Sequence, residues 1–127
     1  MRSPSRLIAV KLVGILVVGL GIVAVTSSPA SATCSNHATP TNKDPGTEFV
    51  TGAGSTGLAR RLGPHTSCIL LSRIPNNRQL DMWCWDYGDN INGVNTWSWV
   101  RYAPGATSYY GWVSDYYLTN RGALFRC

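Results

Sequence analysis

Two histidines and a pair of neighbouring acids are the residues of this sequence whose types suit acid–base or metal chemistry. The histidines are His37 and His65, and the acids are Asp86 and Asp89, which share one predicted loop. Paired carboxylates can serve as acid and base in glycoside hydrolysis, but folded geometry sets the separation that such a site needs. We therefore interpret His65 as a turn residue, with a ligand contact as the alternative, and the aspartates as turn formers. The sequence predicts no catalytic residue, no cofactor and no metal site.

A glycine-rich segment at 52–57 matches the pattern G-x-G-x-x-G. In dinucleotide-binding proteins this pattern opens a helix inside a strand–helix–strand unit, and the helix N-terminus holds the phosphates. Here Gly63-Pro64 would stop a helix shortly after the last of these glycines. We predict a flexible loop at 52–57 and exclude nucleotide binding there.

Four cysteines form the next group with defined chemistry. An even count in a small exported domain is typical of two disulfides. Turn-forming residues at 75–78 lie between two apolar runs and indicate a hairpin. In that hairpin Cys68 and Cys84 would face each other across neighbouring strands. We therefore predict a Cys68–Cys84 disulfide and, by elimination, a second one between Cys34 and Cys127.

Export itself is predicted from residues 1–32. A basic start precedes a 14-residue apolar run at 12–25, and Ala30-Ser31-Ala32 is a small-x-small cleavage site. The run is short for a membrane span, so an uncleaved anchor is the alternative interpretation. We expect a cleaved signal peptide, a mature start at Thr33, a secreted protein that could associate with the cell wall, and no stable membrane insertion after cleavage.

Removal of the signal changes both length and charge. Removing residues 1–32 of the 127 leaves 95, which suits one small domain. The net charge of the chain is +5, but the mature part has 8 basic and 6 acidic residues, a net charge of +2. That charge is too small to predict a nucleic-acid partner. We divide the mature chain into a polar lead-in, 33–47, and a domain with a C-terminal tail, 48–127.

The rest of the mature chain favours short strands. Alternating or β-rich segments separated by turn residues recur, and no stretch has a sustained helical period with caps. The segment 58–62 fits either a strand or one helical turn, and 86–95 is predicted to be a long loop. In the strand 96–102, Trp97 and Val100 are equally good core residues. We predict an all-β barrel or sandwich with strands at 48–51, 69–72, 79–85, 96–102 and 109–113.

Several of these residues together resemble the bacterial SH3-like domain family. The matching features are an Arg-x-Gly-Pro turn at 61–64, Trp97 with Val100, Gly111-Trp112-Val113, and Leu118. The resemblance covers roughly residues 48–119. It implies a partly open barrel of five to six strands, with Val113 and Leu118 in the core. It also implies a binding role, often toward cell-wall peptides or peptidoglycan.

Aromatic residues are the positive signal for that binding role. The mature part contains all 5 Trp, 6 Tyr and 2 Phe residues of the chain, more than so small a barrel can bury. Exposed Trp and Tyr rings provide rigid contact area with a polar tip, whereas cross-strand packing is the alternative role. The candidate ligand-binding residues are Trp85, Tyr87, Trp99, Tyr109, Tyr110 and Tyr116.

We therefore expect a secreted, non-catalytic binding module for a cell-wall peptide, peptidoglycan or another protein. A small secreted effector, either an inhibitor or an antibacterial protein, is the second hypothesis. A small hydrolase is the third hypothesis, and it would require Asp or His residues that converge in one cleft.

Overall fold

A computed structural model describes residues 34–127. The predicted signal peptide, its cleavage site and Thr33 lie outside the described residues. Six antiparallel strands form one curled sheet, a half-barrel, in the order β1-β4-β5-β6-β2-β3. The all-β expectation is therefore confirmed. The strands are β1 (Thr47–Phe49), β2 (Leu58–Arg61), β3 (Leu70–Ile74), β4 (Gln79–Ile91), β5 (Val94–Tyr102) and β6 (Tyr109–Ser114), and a 3-10 helix, η1 (Asp115–Tyr117), follows.

The predicted hairpin across residues 75–78 is wrong. Strand β3 pairs with β2, and β4 pairs with β1 on one side and β5 on the other. Both edges of β4 are therefore occupied, and β3 lies at the far end of the strand order. Turn-forming residues show where the chain reverses, but they do not determine which strands become neighbours.

The predicted loop at 86–95 is wrong as well. Strand β4 continues to Ile91, and β5 begins at Val94 after a two-residue turn. Asn92 and Gly93 have φ values of 48° and 93°, the left-handed conformation that a tight hairpin turn of this type requires. Asp86 and Asp89 therefore both lie on β4, where Asp86 pairs with Trp97 and Asp89 falls in the irregular stretch between Tyr87 and Ile91.

The main hydrophobic core lies on the concave side of the sheet. Val113 and Leu118 are buried, as predicted, and they pack with Leu80, Met82 and Val100. Each of these five side chains is at most 1 % exposed. Complete burial of such a side chain contributes about 1.5–3 kcal/mol. The resulting core fixes the curvature of the sheet.

The opposite face of β4, β5 and β6, called here the outer face, is also covered. Met82 lies opposite Val100, but a bulge places Cys84 opposite Trp99. Trp97 and Trp112 are 2 % and 3 % exposed, although they alternate with core residues along their strands. Trp97 and Val100 are thus both buried, but on opposite faces of the sheet. Residues outside the sheet must therefore cover Trp97 and Trp112 on the outer face.

The disulfides supply part of that cover, and both predicted pairings are wrong. The bonds join Cys34 to Cys68 and Cys84 to Cys127, with Cα–Cα distances of 5.6 and 4.9 Å. Cys68 and Cys84 do not face each other because β3 and β4 are not neighbours. The C-terminal tail instead runs beside β4, where the Cys127 amide donates to the Trp85 carbonyl at 2.9 Å.

Two buried acids hold the C-terminal tail through its backbone. Glu48 accepts hydrogen bonds from the amides of Asn120 and Gly122, and Asp44 accepts one from the amide of Leu124. Asp44 and Glu48 are 4 % and 5 % exposed. These acids satisfy backbone donors of a segment that has no strand partner along most of its length.

A third buried acid, Asp115, lies under the same tail. Its Oδ1 accepts a hydrogen bond of 2.6 Å from the Ser98 hydroxyl, whose oxygen accepts the Ala123 amide at 2.9 Å. A side chain at Gly122, whose φ is 101°, would collide with the Asp115 carboxylate. The tail therefore depends on glycine at this position and on a compact polar contact beneath it.

Mass mapping of non-reduced tryptic peptides tests the disulfide pairing. We expect the peptide ending at Lys43 to be linked to peptide 62–73, and peptide 79–101 to be linked to Cys127, because the folded chain brings those sulfurs together. A linkage between peptides 62–73 and 79–101 would contradict the strand order.

Replacement of Asp115 by Asn tests the buried acid through pH. Burial raises the pKa of Asp115 from 3.8 to about 6, so the folded state favours the protonated form. The stability that the protonated Asp115 contributes is complete below the unfolded pKa of 3.8 and is lost as pH rises through the folded pKa of about 6. The difference between these two pKa values corresponds to about 3 kcal/mol. Asp115→Asn should therefore gain stability relative to wild type between pH 4 and pH 7.5. Urea unfolding at both pH values measures this gain, and a difference independent of pH would contradict it.

Candidate functional site

The candidate site is built where the lead-in crosses the outer face. The described part of the lead-in, 34–46, is fastened at one end by the Cys34–Cys68 disulfide and at the other by amides of Lys43 and Asp44, which donate to the Trp83 carbonyl. A Cβ at Gly63 would lie 2.6 Å from the Cys34 carbonyl oxygen, so this contact tolerates only glycine. The lead-in and the loop 62–69 are thus packed together over the tryptophans.

His65 projects from that loop toward β4. Its Nδ1 lies 2.7 Å from Asp89 Oδ1, while the Thr66 amide and hydroxyl donate to Asp89 Oδ2 at 2.7 and 2.9 Å. The Asp89 amide donates in return to the Pro64 carbonyl at 3.1 Å. Burial acts to raise the pKa of Asp89, but the hydrogen bonds from His65 and Thr66 outweigh it and lower the pKa. Asp89 is therefore an ionised acceptor that orients the imidazole.

His37 projects from the lead-in toward the same strand. Its Nδ1 lies 3.1 Å from Asp86 Oδ2, and Asp86 Oδ1 accepts from the Tyr87 amide at 2.9 Å and from Arg126 at 3.3 Å. Burial again acts to raise the pKa of Asp86, but these hydrogen bonds lower it below the ordinary value. A second imidazole is thereby oriented by a second ionised carboxylate.

The two imidazoles meet through their other nitrogens. His37 Nε2 and His65 Nε2 are 3.2 Å apart, and the ring centroids are 5.2 Å apart. Since each Nδ1 faces an ionised carboxylate, we assign the proton of each neutral ring to Nδ1. Both Nε2 atoms then present lone pairs to each other. A cation between the rings, either a proton or a metal ion, makes this contact favourable.

The sequence analysis missed this cluster, here called the His–Asp cluster and consisting of His37, His65, Asp86 and Asp89. The interpretation of His65 as a turn residue and of the aspartates as turn formers leaves out their main contacts. Each histidine lies three residues from a cysteine of the same disulfide. The correct cysteine pairing would have placed the histidines together, and that was the available signal.

Beside the cluster, an open cleft of about 610 Å³ separates the lead-in from the outer face. Trp99 and Trp112 form its floor, with ring centroids 5.6 Å apart at an angle of 74°. Leu62 and Ile69 on its rim are 50 % and 66 % exposed, which leaves apolar surface in contact with water. The other lining residues are Cys34, Ser35, His37, Ala38, Thr39, Pro40 and Ser67.

The six aromatic candidates do not form one groove. Trp99 alone among them lines this cleft. The other five lie in separate contacts: Trp85 with Tyr87 and Arg126, Tyr110 with Trp83, Tyr109 under Arg60, and Tyr116 with Tyr117 and Arg121. Ring stacking and cation–π contacts of this kind contribute about 0.5–1.5 kcal/mol each to packing.

The geometry of the His–Asp cluster differs from a nucleophilic triad. In a triad the histidine Nε2 faces a serine or cysteine nucleophile, and the aspartate orients Nδ1. Here the aspartates are in the orienting position, but each Nε2 faces another imidazole. All four cysteines are held in disulfides. The arrangement is suited to hold a cation between two nitrogens.

No family model, curated protein or solved structure matches the chain. Between residues 34 and 127, no helix is long and apolar enough to cross a bilayer. In the same stretch, no three side chains of His, Cys, Asp or Glu converge as ligands for a metal ion. The His–Asp cluster therefore offers the two Nε2 nitrogens, because its carboxylates are hydrogen-bonded to the Nδ1 atoms of the same rings.

Substitution of Gly88 tests the support of the cluster. A Cβ at Gly88 would lie 1.9 Å from the Pro64 carbonyl oxygen and 2.7 Å from the Trp97 ring, so the loop that carries His65 would have to move. Gly88→Ala should lower the free energy of unfolding by about 1–3 kcal/mol. The matched control is Gly105→Ala, where nothing lies within 4 Å of the added Cβ. Urea unfolding measures both, and equal stability of the two variants would contradict this packing.

Proposed function

We propose that this protein is a secreted, SH3-like binding domain that holds a cell-wall peptide, the stem of peptidoglycan, in the cleft beside the His–Asp cluster. The cleft carries the proposal, because it combines a tryptophan floor with an exposed apolar rim. The predicted signal peptide supports an extracellular role, and two disulfides are compatible with it.

The chemistry of the cleft favours a short peptide. Trp99 offers rigid apolar surface, backed by the buried Trp112 ring, and this surface suits the methyl groups of alanine-rich stem peptides. Ser35 and His37 add polar side chains to the same lining. Binding sites of this kind join a mainly apolar wall to a few polar groups that set orientation.

The SH3-like assignment is supported by how the matching residues are used. Gly111, Trp112 and Val113 lie on β6, and Leu118 closes the core after η1. A Cβ at Gly111 would lie 3.0 Å from the Arg61 carbonyl oxygen, so β2 and β6 approach each other closely there. The Gly-Pro turn at 63–64 is buried under the lead-in. These placements agree with a small, strongly curled barrel.

Substitution of Ile69 tests the proposal, with Leu124 as the matched control. Both side chains are exposed, at 66 % and 77 %, but only Ile69 lines the cleft. We expect wild-type protein to cosediment with purified peptidoglycan at physiological salt in the presence of EDTA. Ile69→Ser should weaken binding about tenfold, since contact with an isoleucine side chain is worth about 1.5 kcal/mol or more. Leu124→Ser should bind as wild type does.

Two outcomes would overturn the proposal. The first is that wild-type protein remains in the supernatant. The second is that both variants lose binding equally, which would place the contact outside the cleft.

A further inference from the structure

We propose that His37 and His65 bind one transition-metal ion between their Nε2 atoms, with Zn²⁺ and Cu²⁺ as the preferred ions. This site is separate from the peptide proposal, although His37 also lines the cleft. Four observations carry it: the orientation of the rings, the distance between the nitrogens, the burial of the cluster and the charge around it.

The orientation of both rings is that of metal-binding histidines. A histidine that binds a metal usually donates its other N–H to a carboxylate, which fixes the tautomer and makes the free nitrogen more basic. Here Asp86 faces Nδ1 of His37 at 3.1 Å, and Asp89 faces Nδ1 of His65 at 2.7 Å. Both carboxylates are held in turn by further donors, so each ring is oriented before any ion binds.

The separation of the two nitrogens fits one shared ion. Zinc–imidazole bonds are about 2.0–2.1 Å long, and a near-tetrahedral angle then places two ligand nitrogens about 3.3 Å apart. His37 Nε2 and His65 Nε2 are 3.2 Å apart. Neither ring would have to rotate far to serve the same ion. The metal therefore resolves the opposition of two lone pairs without unfolding any element.

Burial and charge determine what kind of site this is. The side chains of His37 and His65 are 15 % and 16 % exposed, so the nitrogens are shielded but reachable. Two ionised carboxylates supply negative charge, which Arg126 offsets in part from a largely exposed position. Residues 34–127 supply two ligands to this ion, and the remaining coordination positions are open to water or to a bound molecule. Imidazole ligands and the general order of divalent affinities favour Cu²⁺ and Zn²⁺ over Mg²⁺ and Ca²⁺.

A proton shared between the rings is the competing explanation. One histidine would then be an imidazolium that donates from Nε2 to the other ring. The two explanations differ in what added metal does, because an ion displaces that proton and leaves both Nδ1 protons in place.

Metal titration of the disulfide-bonded protein tests the site. We expect calorimetry with Zn²⁺, and separately with Cu²⁺, to show one saturable site per chain. The chain has only two histidines, so a single variant is informative. His65→Gln should abolish this binding, and Asp89→Asn should weaken it about 10- to 100-fold through loss of the oriented ring. Long-range nitrogen NMR of wild type should show both Nε2 signals shifting with Zn²⁺ while both Nδ1 atoms stay protonated.

The control is the fold of the variants, followed by circular dichroism and by the mass of the intact disulfides. If His65→Gln does not fold, the NMR shifts of wild type still decide the question. Absence of saturable binding to wild type would overturn the proposal. Binding that His65→Gln leaves intact, or an imidazolium signal that persists at saturating metal, would overturn it as well. Because the peptidoglycan assay contains EDTA, failure of one proposal does not entail failure of the other.

Discussion

The Cys34–Cys68 disulfide joins the lead-in to the loop between β2 and β3, and the outer face depends on that bond. Neither segment forms a strand there, so hydrogen-bonded pairing alone would not hold them over Trp97, Trp99 and Trp112. In the chain-entropy model a bridge of this span contributes about 4 kcal/mol. That contribution is large for a domain of this size, whose total stability is about 5–15 kcal/mol. Without this cover, the tryptophans would lie in water.

The same bond determines the chemistry of the site. It brings His37 and His65 from segments far apart in sequence to within 3.2 Å of each other. Strand β4 supplies the two carboxylates from a single stretch, because the bulged hairpin with β5 extends past them. The cleft is the space that remains between the lead-in and the sheet. The disulfide, the His–Asp cluster and the cleft thus all result from the path of the lead-in across the outer face.

Five of the six acids of the chain fall into two functional groups. Asp44, Glu48 and Asp115 are nearly fully buried and hold the C-terminal tail. Asp86 and Asp89 orient imidazoles on the other side of the sheet. Asp81 pairs with Arg101 at the surface, with a distance of 2.6 Å between nitrogen and oxygen. The first group thus supports the fold, and the second group supports the candidate site.

The sequence predicted the strand content and part of the core, and it failed on pairing. Alternation and β-rich segments between turns identified all-β structure, because burial on one face leaves a pattern of period two. The core positions of Val113 and Leu118 came instead from the resemblance to the SH3-like family. The hairpin error arose because a turn constrains direction and not partner. The wrong hairpin led to the wrong disulfide pairing, and without the Cys34–Cys68 bond nothing in the sequence placed His37 beside His65. The bulge near Cys84 was also not predictable, since it depends on what the outer face must bury.

The Cys34–Cys68 crossing assembles the His–Asp cluster on the face of the sheet opposite the main core. Proton NMR measures this directly through nuclear Overhauser contacts between the ring protons of the two histidines. We expect such contacts in the oxidised protein and their loss in the double variant Cys34→Ser, Cys68→Ser, with the methyl signals of Val113 and Leu118 unchanged. Absence of ring-to-ring contacts in the oxidised protein, or their persistence without the disulfide, would contradict it.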